Sequence, residues 1–258
     1  MKNNKGWESV RKTKNGVSEL KLRSWRKLYD YLVQNMLDYP HYIWRGQRDS
    51  TWALESSLER LLRDKNDSDK AEIFKAHLDK FKMSIRGRRG TNPNKITREN
   101  EWWALGQHHG LATPLLDWTE SAFFALYFAF EKKEGPANKM RSIWAIADVS
   151  QIDMPYESDG EVPALDIVRP SLDENLRLVA QAGLFTRAPV GLTVEQWVQK
   201  KFKGIDDKSV LKKFLVPDEG REDCLKTLNR MSINHLTLFP DLYGSAKHCN
   251  KALEIDNY

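Results

Sequence analysis

The residue types best suited to chemistry are gathered in two runs of this sequence. One is Trp44-Arg45-Gly46-Gln47; the other spans Gln107 to Glu120 and holds His108, His109, Gly110, Thr113, Asp117, Thr119 and Glu120. An arginine followed directly by glycine offers a fixed guanidinium beside a backbone that a ligand can approach closely. That pairing suits bidentate binding of a carboxylate or pyrophosphate; pairing with a structural carboxylate is the alternative. The second run sets imidazole, hydroxyl and carboxylate groups in a polar turn ahead of a helix, whose unpaired N–H groups and dipole favour a phosphate or carboxylate. Asp117 or Thr119 could cap that helix, whereas His108 is not needed for packing or helix termination. Adjacent histidines on a turn seldom point the same way and no HExxH spacing accompanies them, so no metal is expected.

These groups must be held by the elements around them. The second run leads into Ala122 to Phe130, the most apolar segment of the chain. A helix hydrophobic nearly all round belongs inside a protein, so Phe123, Phe124, Leu126, Tyr127, Phe128 and Phe130 are expected to form the spine of the core. Helical spacing predicts further helices over 24–37 with Ser24 as cap, from Ser56-Ser57, over about 70–85, around Trp102 to Leu105, over 172–182 and 221–231, and after Phe239-Pro240-Asp241. Strands are expected from Tyr42 until Gly46 breaks the pattern, at 142–149, at 164–168 and near 210–215. Residues 111–118 read as a compact crossing. Strands interleaved with helices without regular βαβ spacing predict an α+β fold: a mixed central sheet of short strands packed by helices, with one strongly buried helix. Residues 1–16 read as a basic N-terminal tail and 17–258 as a single domain.

Ten Phe, nine Trp and a hydrophobic fraction of 40% in 258 residues argue for a sizeable core, and 30% charged residues for a soluble chain. No apolar run approaches the roughly 18 residues that span a bilayer. The start, MKNNKGWESVRKTKNG, lacks the apolar stretch of a signal peptide, and with only Cys224 and Cys249 neither a disulfide framework nor a cysteine zinc site is indicated. The expected compartment is the cytoplasm, with no membrane partner. The net charge of +5 tilts the chain towards polyanions. Much of the excess lies in a loop holding Arg86, Arg88, Arg89, Lys95 and Arg98 with no acid before Glu99, suited to neutralising nucleic-acid phosphates or serving as a solvated surface.

Four patches carry a resemblance. Trp44-Arg45-Gly46-Gln47 resembles the motif for which the FRG domain is named, with Trp in place of the usual Phe or Tyr. The run Gln107 to Thr119 is similar to that family's second signature, Gln181 to Thr186, preceded by Asn175 and Arg177, to its third, and Leu238 to Gly244 to its C-terminal one. His109, Ala112 and Pro114 depart from the commoner residues. The resemblance covers roughly residues 20 to 250 and implies an intracellular, bacterial or phage-linked protein, such as a defence effector or toxin. An aromatic followed by Arg45-Gly46 is also similar to the first motif of arginine-type ADP-ribosyltransferases. That likeness implies NAD as the dinucleotide, with Arg45 at its phosphate or nicotinamide end, His108 and Thr113 on the ribose, Glu120 as carboxylate and Asp117 orienting His108. Trp44, Gly46, Gln47, Gly110, Asn175, Gln181 and Thr186 would complete the binding set. No Ser-Thr-Ser signature is present unless Ser56-Ser57 serves, and Glu-x-Glu spacing occurs only at Glu99 to Glu101. Two alternatives remain: a nuclease using Arg45, His108 and Asp117, with the basic loop and exposed tryptophans holding the strand, and a non-catalytic sensor of a nucleotide or phage protein.

Overall fold

The structure is a computed structural model and describes residues 6–152, 162–170 and 176–258. Trp7–Lys14 (β1) and Val17–Leu22 (β2) form a hairpin across Asn15-Gly16. Both turn residues have positive φ, 51° and 76°, as a two-residue type I′ turn requires. Half of the segment expected as a basic tail, Trp7–Lys14, is therefore a strand at the edge of the sheet. Its side chains are largely exposed, so no apolar alternation marks it.

Lys27–Asn35 (α1) starts after Arg26 without a side-chain cap, so Ser24 does not cap it. Tyr42–Gln47 (β3) continues through Gly46 instead of ending there. Ser57–Leu61 (α2) and Asp67–Ser84 (α3) are capped by the side chains of Ser56 and Asn66. Glu99–His108 (α4) follows the basic loop. Leu115–Thr119 (β4) is a true strand where a crossing was expected, and Ala122–Phe130 (α5) is capped by Ser121 instead of Asp117 or Thr119. Met140–Ala147 (β5), Asp166–Val168 (β6), Leu176–Ala180 (α6) and Gly183–Arg187 (β7) come next. Residues 153–161 and the first part of the helix expected over 172–182 lie outside the described residues. Val194–Lys201 (α7), capped reciprocally by Thr193 and Gln196, was not expected. Leu211–Pro217 (β8), Arg221–Arg230 (α8), His235–Leu238 (α9) and Leu242–Glu254 (α10) complete the chain.

The strands form one mixed sheet in the order β1-β2-β8-β5-β3-β4-β7-β6, with β2 and β8 parallel and the remaining pairs antiparallel. The fold is α+β. Alternation along the central strands places Trp44, Ile143, Ala145 and Phe214 on the face that holds α5, and Ile43, Trp144, Ile146 and Leu211 against Trp197 and Val198 of α7. A third cluster joins Leu58, Phe74, Leu78 and Trp103 of α2, α3 and α4 to Leu115 and Phe185. Among the described residues no helix is long and apolar enough to cross a membrane.

α5 lies on the sheet through its small residues. Ala125 and Ala129 are fully buried against β3, and a Cβ at Gly46 would collide with the Ala125 carbonyl and stand 2.7 Å from the Ala129 nitrogen. Close approach of helix to strand, and not an open face for a ligand, is what glycine permits there. Phe123, Phe124 and Phe128 are consequently only partly buried, contrary to the expectation that every phenylalanine of this helix lies in the core. The last carbonyls of α5 and those just beyond it are taken up by cations: Arg141 donates to Ala129 O at 2.5 Å, Arg221 to Phe130 O at 2.8 Å and Lys251 to Glu131 O at 2.8 Å.

Candidate functional site

β3 pairs with β5 from Tyr42 opposite Ala147 to Gln47 opposite Ser142, and β4 pairs with β7 from Leu115 opposite Arg187 to Thr119 opposite Gly183. Between β3 and β4 the register holds at a single position, Trp44 opposite Thr119. The sheet is thus split into a five-strand and a three-strand part that touch at one point. Continuing the ladder would set Gly46 opposite Asp117. Instead Arg45 Nη1 donates to the Asp117 carbonyl at 2.7 Å, so a side-chain guanidinium bonds where backbone pairing has ended. The cleft at this split has a volume of about 260 Å³ and is lined by Trp44, Arg45, Gly46, Asp117, Trp118, Thr119, Phe128 and Gln181.

Arg45 is poorly compensated. Its side chain is 21% exposed, and its buried Nε has no hydrogen-bond partner among the described residues. Its carboxylate neighbour, Asp117 Oδ2, stands 3.7 Å from Nη1 on a side chain that is 63% exposed, so solvent screens that pair. Burial pulls the guanidinium below the ordinary arginine range, Asp117 pushes it back and Arg60 lowers it further. An arginine in such surroundings stays charged. A buried donor left unmade costs about 1–3 kcal/mol, which an incoming anion can offset.

A hydrogen-bonded chain orients the carboxylate. Gln107 Nε2 at the end of α4 donates to Asp117 Oδ1 at 2.7 Å, and the Thr113 hydroxyl donates to Gln107 Oε1. Thr113 is anchored in turn: its N–H donates to Ser57 Oγ at 3.0 Å, and its carbonyl accepts from Leu58 N at 3.1 Å. On the opposite wall the Thr119 hydroxyl donates to Gln181 O at 2.7 Å, and Gln181 Nε2 to Leu238 O at 3.0 Å, which ties β4 to α9.

The sequence profile of the FRG domain matches residues 40–138. Residues 40–138 carry an FRG domain. Every cleft residue except Gln181 lies within that span. Comparison with curated proteins and with solved structures returned no match.

The structure brings together only part of the expected set. Trp44, Arg45, Gly46, Asp117 and Gln181 line the cleft; His108 and Glu120 do not. His108 closes α4 half-buried, with the His109 ring edge-on at 4.8 Å. Glu120 is exposed and stands 3.8 Å from Arg169, which binds the buried Asp148 at 2.8 Å. Gln47 is buried, accepting from Trp144 Nε1 at 2.8 Å and Ser142 Oγ at 3.3 Å while donating to Ala53 O at 3.1 Å; its polar atoms are engaged inside the fold. Thr186 is buried and accepts from Trp118 Nε1 at 2.9 Å. Thr113 acts through Gln107, Gly110 turns the chain after α4 at φ 87°, and Asn175 lies outside the described residues. Gln107, Trp118, Thr119 and Phe128 belong to the site although sequence reasoning assigned them no binding role. The available signal was Asp117 and Thr119 two residues apart around a tryptophan, a strand period with one polar face.

Proposed function

We propose that the FRG-domain cleft binds the reactive end of NAD and that the protein is an ADP-ribosyltransferase-like enzyme. The observation that carries this reading is Arg45: a desolvated, under-neutralised cation held in the split of a sheet, walled by Trp44, Trp118 and Phe128 and faced by one carboxylate. The partly exposed Phe128 ring offers an apolar side for a nicotinamide ring, and a guanidinium suits a phosphate. The volume of about 260 Å³ lies just under the roughly 300–1,000 Å³ usual for small-molecule sites, so one end of a dinucleotide is the better fit than the whole.

In the reaction the ribose C1′–N bond breaks, and its electron pair leaves with nicotinamide, which departs neutral. Positive charge then develops on the ribose, where the Asp117 carboxylate stabilises it. An acceptor attacks C1′ and its proton passes to Asp117. Asp117 takes the role first expected of Glu120, because Asp117 lines the cleft and is held by Gln107. A nuclease built on Arg45, His108 and Asp117 is not carried forward, since His108 does not line the cleft. An intracellular activity that consumes NAD would suit a toxin or a defence effector.

Nicotinamide release from NAD, with a cell extract as the source of acceptors, tests this reading. The wild type should release nicotinamide and Arg45→Gln should not. Asp117→Asn should lower turnover by about 10²–10³ while NAD binding persists. Release that survives Arg45→Gln, or a wild type that neither binds nor cleaves NAD, would overturn the assignment.

A further inference from the structure

The basic loop at 86–98 takes no part in the cleft. It lies at the N-terminal end of α4, while Gln107 sits near the other end of this ten-residue helix, which spans about 15 Å. Within the loop, Arg89 is the pin. Its guanidinium donates to Asn94 O at 2.8 Å and stacks over the Trp102 ring at 5.5 Å, and Ile96 of the same loop is buried. Arg86, Arg88, Lys95 and Arg98 point to solvent, and among the described residues none of the four makes an ion pair. Between them stand the exposed hydroxyl and amide groups of Thr91, Asn92 and Thr97.

We propose that this loop is a sequence-independent binding surface for the phosphate backbone of a nucleic acid. Guanidinium and ammonium groups that spend nothing on internal partners can neutralise phosphates, and nearby hydroxyls and amides can bond phosphate and sugar oxygens. An acidic protein is the poorer partner. Protein interfaces need an apolar core, and among the described residues no large hydrophobic side chain is exposed between Met83 and Leu176. Readout of bases is not built in. The ring of Trp102, the aromatic side chain next to the loop, is covered by Arg89 and by Lys82 at 5.9 Å, so it does not offer a stacking platform. RNA and DNA are therefore bound through the same chemistry.

The surface is separate from the Arg45 cleft and stands or falls apart from the NAD reading. Fluorescence anisotropy with labelled RNA and DNA strands of about 20 nucleotides tests it at low and rising salt. The wild type should bind both, with log K falling against log salt at a slope of about −3, as four phosphate contacts to a single strand give. A variant combining Arg86→Ser, Arg88→Ser, Lys95→Ser and Arg98→Ser should bind at least tenfold more weakly with an unchanged melting temperature. Arg45→Gln should bind like the wild type. No binding at low salt, or equal binding by the quadruple variant, would overturn the proposal. Equal capture of polyglutamate, lost in the same variant, would replace nucleic acid by an acidic protein.

Discussion

Arg45 and Arg141 stand on adjacent strands, the first partly buried and the second fully buried, and they differ in how their donors are used. Arg141 is fully covered and each of its three guanidinium nitrogens has a partner: Nε donates to Asp218 Oδ1 at 2.5 Å, Nη1 to Ala129 O at 2.5 Å and Nη2 to Lys132 O at 3.2 Å, and the Phe130 ring lies 5.0 Å away. Burial lowers its pKa, and the bond and charge of Asp218 oppose that. Arg45 makes one bond, to a backbone carbonyl, and keeps Nε unmade beside a screened carboxylate. One arginine closes the end of a helix; the other has binding capacity left over. Removing Arg141 should therefore damage the fold, and removing Arg45 should damage the site.

The largest expected effect follows from Arg141. Arg141→Ala strands Asp218 and two carbonyls, so it should cost about 3–5 kcal/mol. In thermal melting that is a drop of roughly 6–20 °C for a chain of this size. A drop of only a degree or two would erase the contrast with Arg45.

The region beyond α5 should also make stability depend on pH. His235 is buried, its Nδ1 shares a hydrogen bond with the Tyr127 hydroxyl, and its Nε2 lies 3.4 Å from Glu131 Oε2. Burial, reinforced by Lys251, Lys132, Lys247 and His248, lowers its pKa from 6.5 to about 4. The unfolded chain binds this proton more readily than the folded one, so stability is present above pH 6.5 and is lost as pH falls towards 4. The loss has an upper limit of about 3 kcal/mol. Glu131, raised by burial, opposes it, because its protonation relieves a buried charge. Denaturant unfolding between pH 7 and pH 4 should show this slope in the wild type and a flatter one in His235→Gln.

Gly46 joins the two regions, since it follows Arg45 in β3 and supports α5. Gly46→Ala should cost about 1–3 kcal/mol through overpacking against the Ala125 and Ala129 backbone. It should weaken ligand binding as well, a joint loss that Arg141→Ala or Arg45→Gln alone should not give. The smallest effect is expected at Gln107. Gln107→Ala removes a bond worth about 0.5–1.5 kcal/mol, and its mark should be a fall in turnover with little change in apparent NAD affinity.

Much of the fold was legible because apolar periodicity is a strong signal. The stripe of α3, the apolar runs of β5 and β8 and the alternation in β3 read correctly. The first hairpin was missed because charge outweighed turn chemistry: Lys12 and Lys14 suggested a tail, while Asn15-Gly16 was the stronger clue to a type I′ turn. α7 had a clear sign in Thr193 and Gln196, three residues apart. β4 and β7 are short, and Pro114 and Asp117 hid the first of them. The site was half legible. Arg45 and Asp117 stood out by type, but Gln107 looked like the neighbour of a more reactive His108. Helical phase, which aims Gln107 and not His108 at Asp117, is settled only once α4 packs against β4.

The central claim is that the unspent donors of Arg45 exist to hold an anion. Calorimetric titration of NAD into the wild type and into Arg45→Gln tests it most directly, with melting curves to show that both are folded. Binding to the wild type is expected, with a loss of about 1.5–3 kcal/mol in affinity on removing the guanidinium, at unchanged stability to within about 1 kcal/mol. Equal affinity in two equally stable proteins would contradict it.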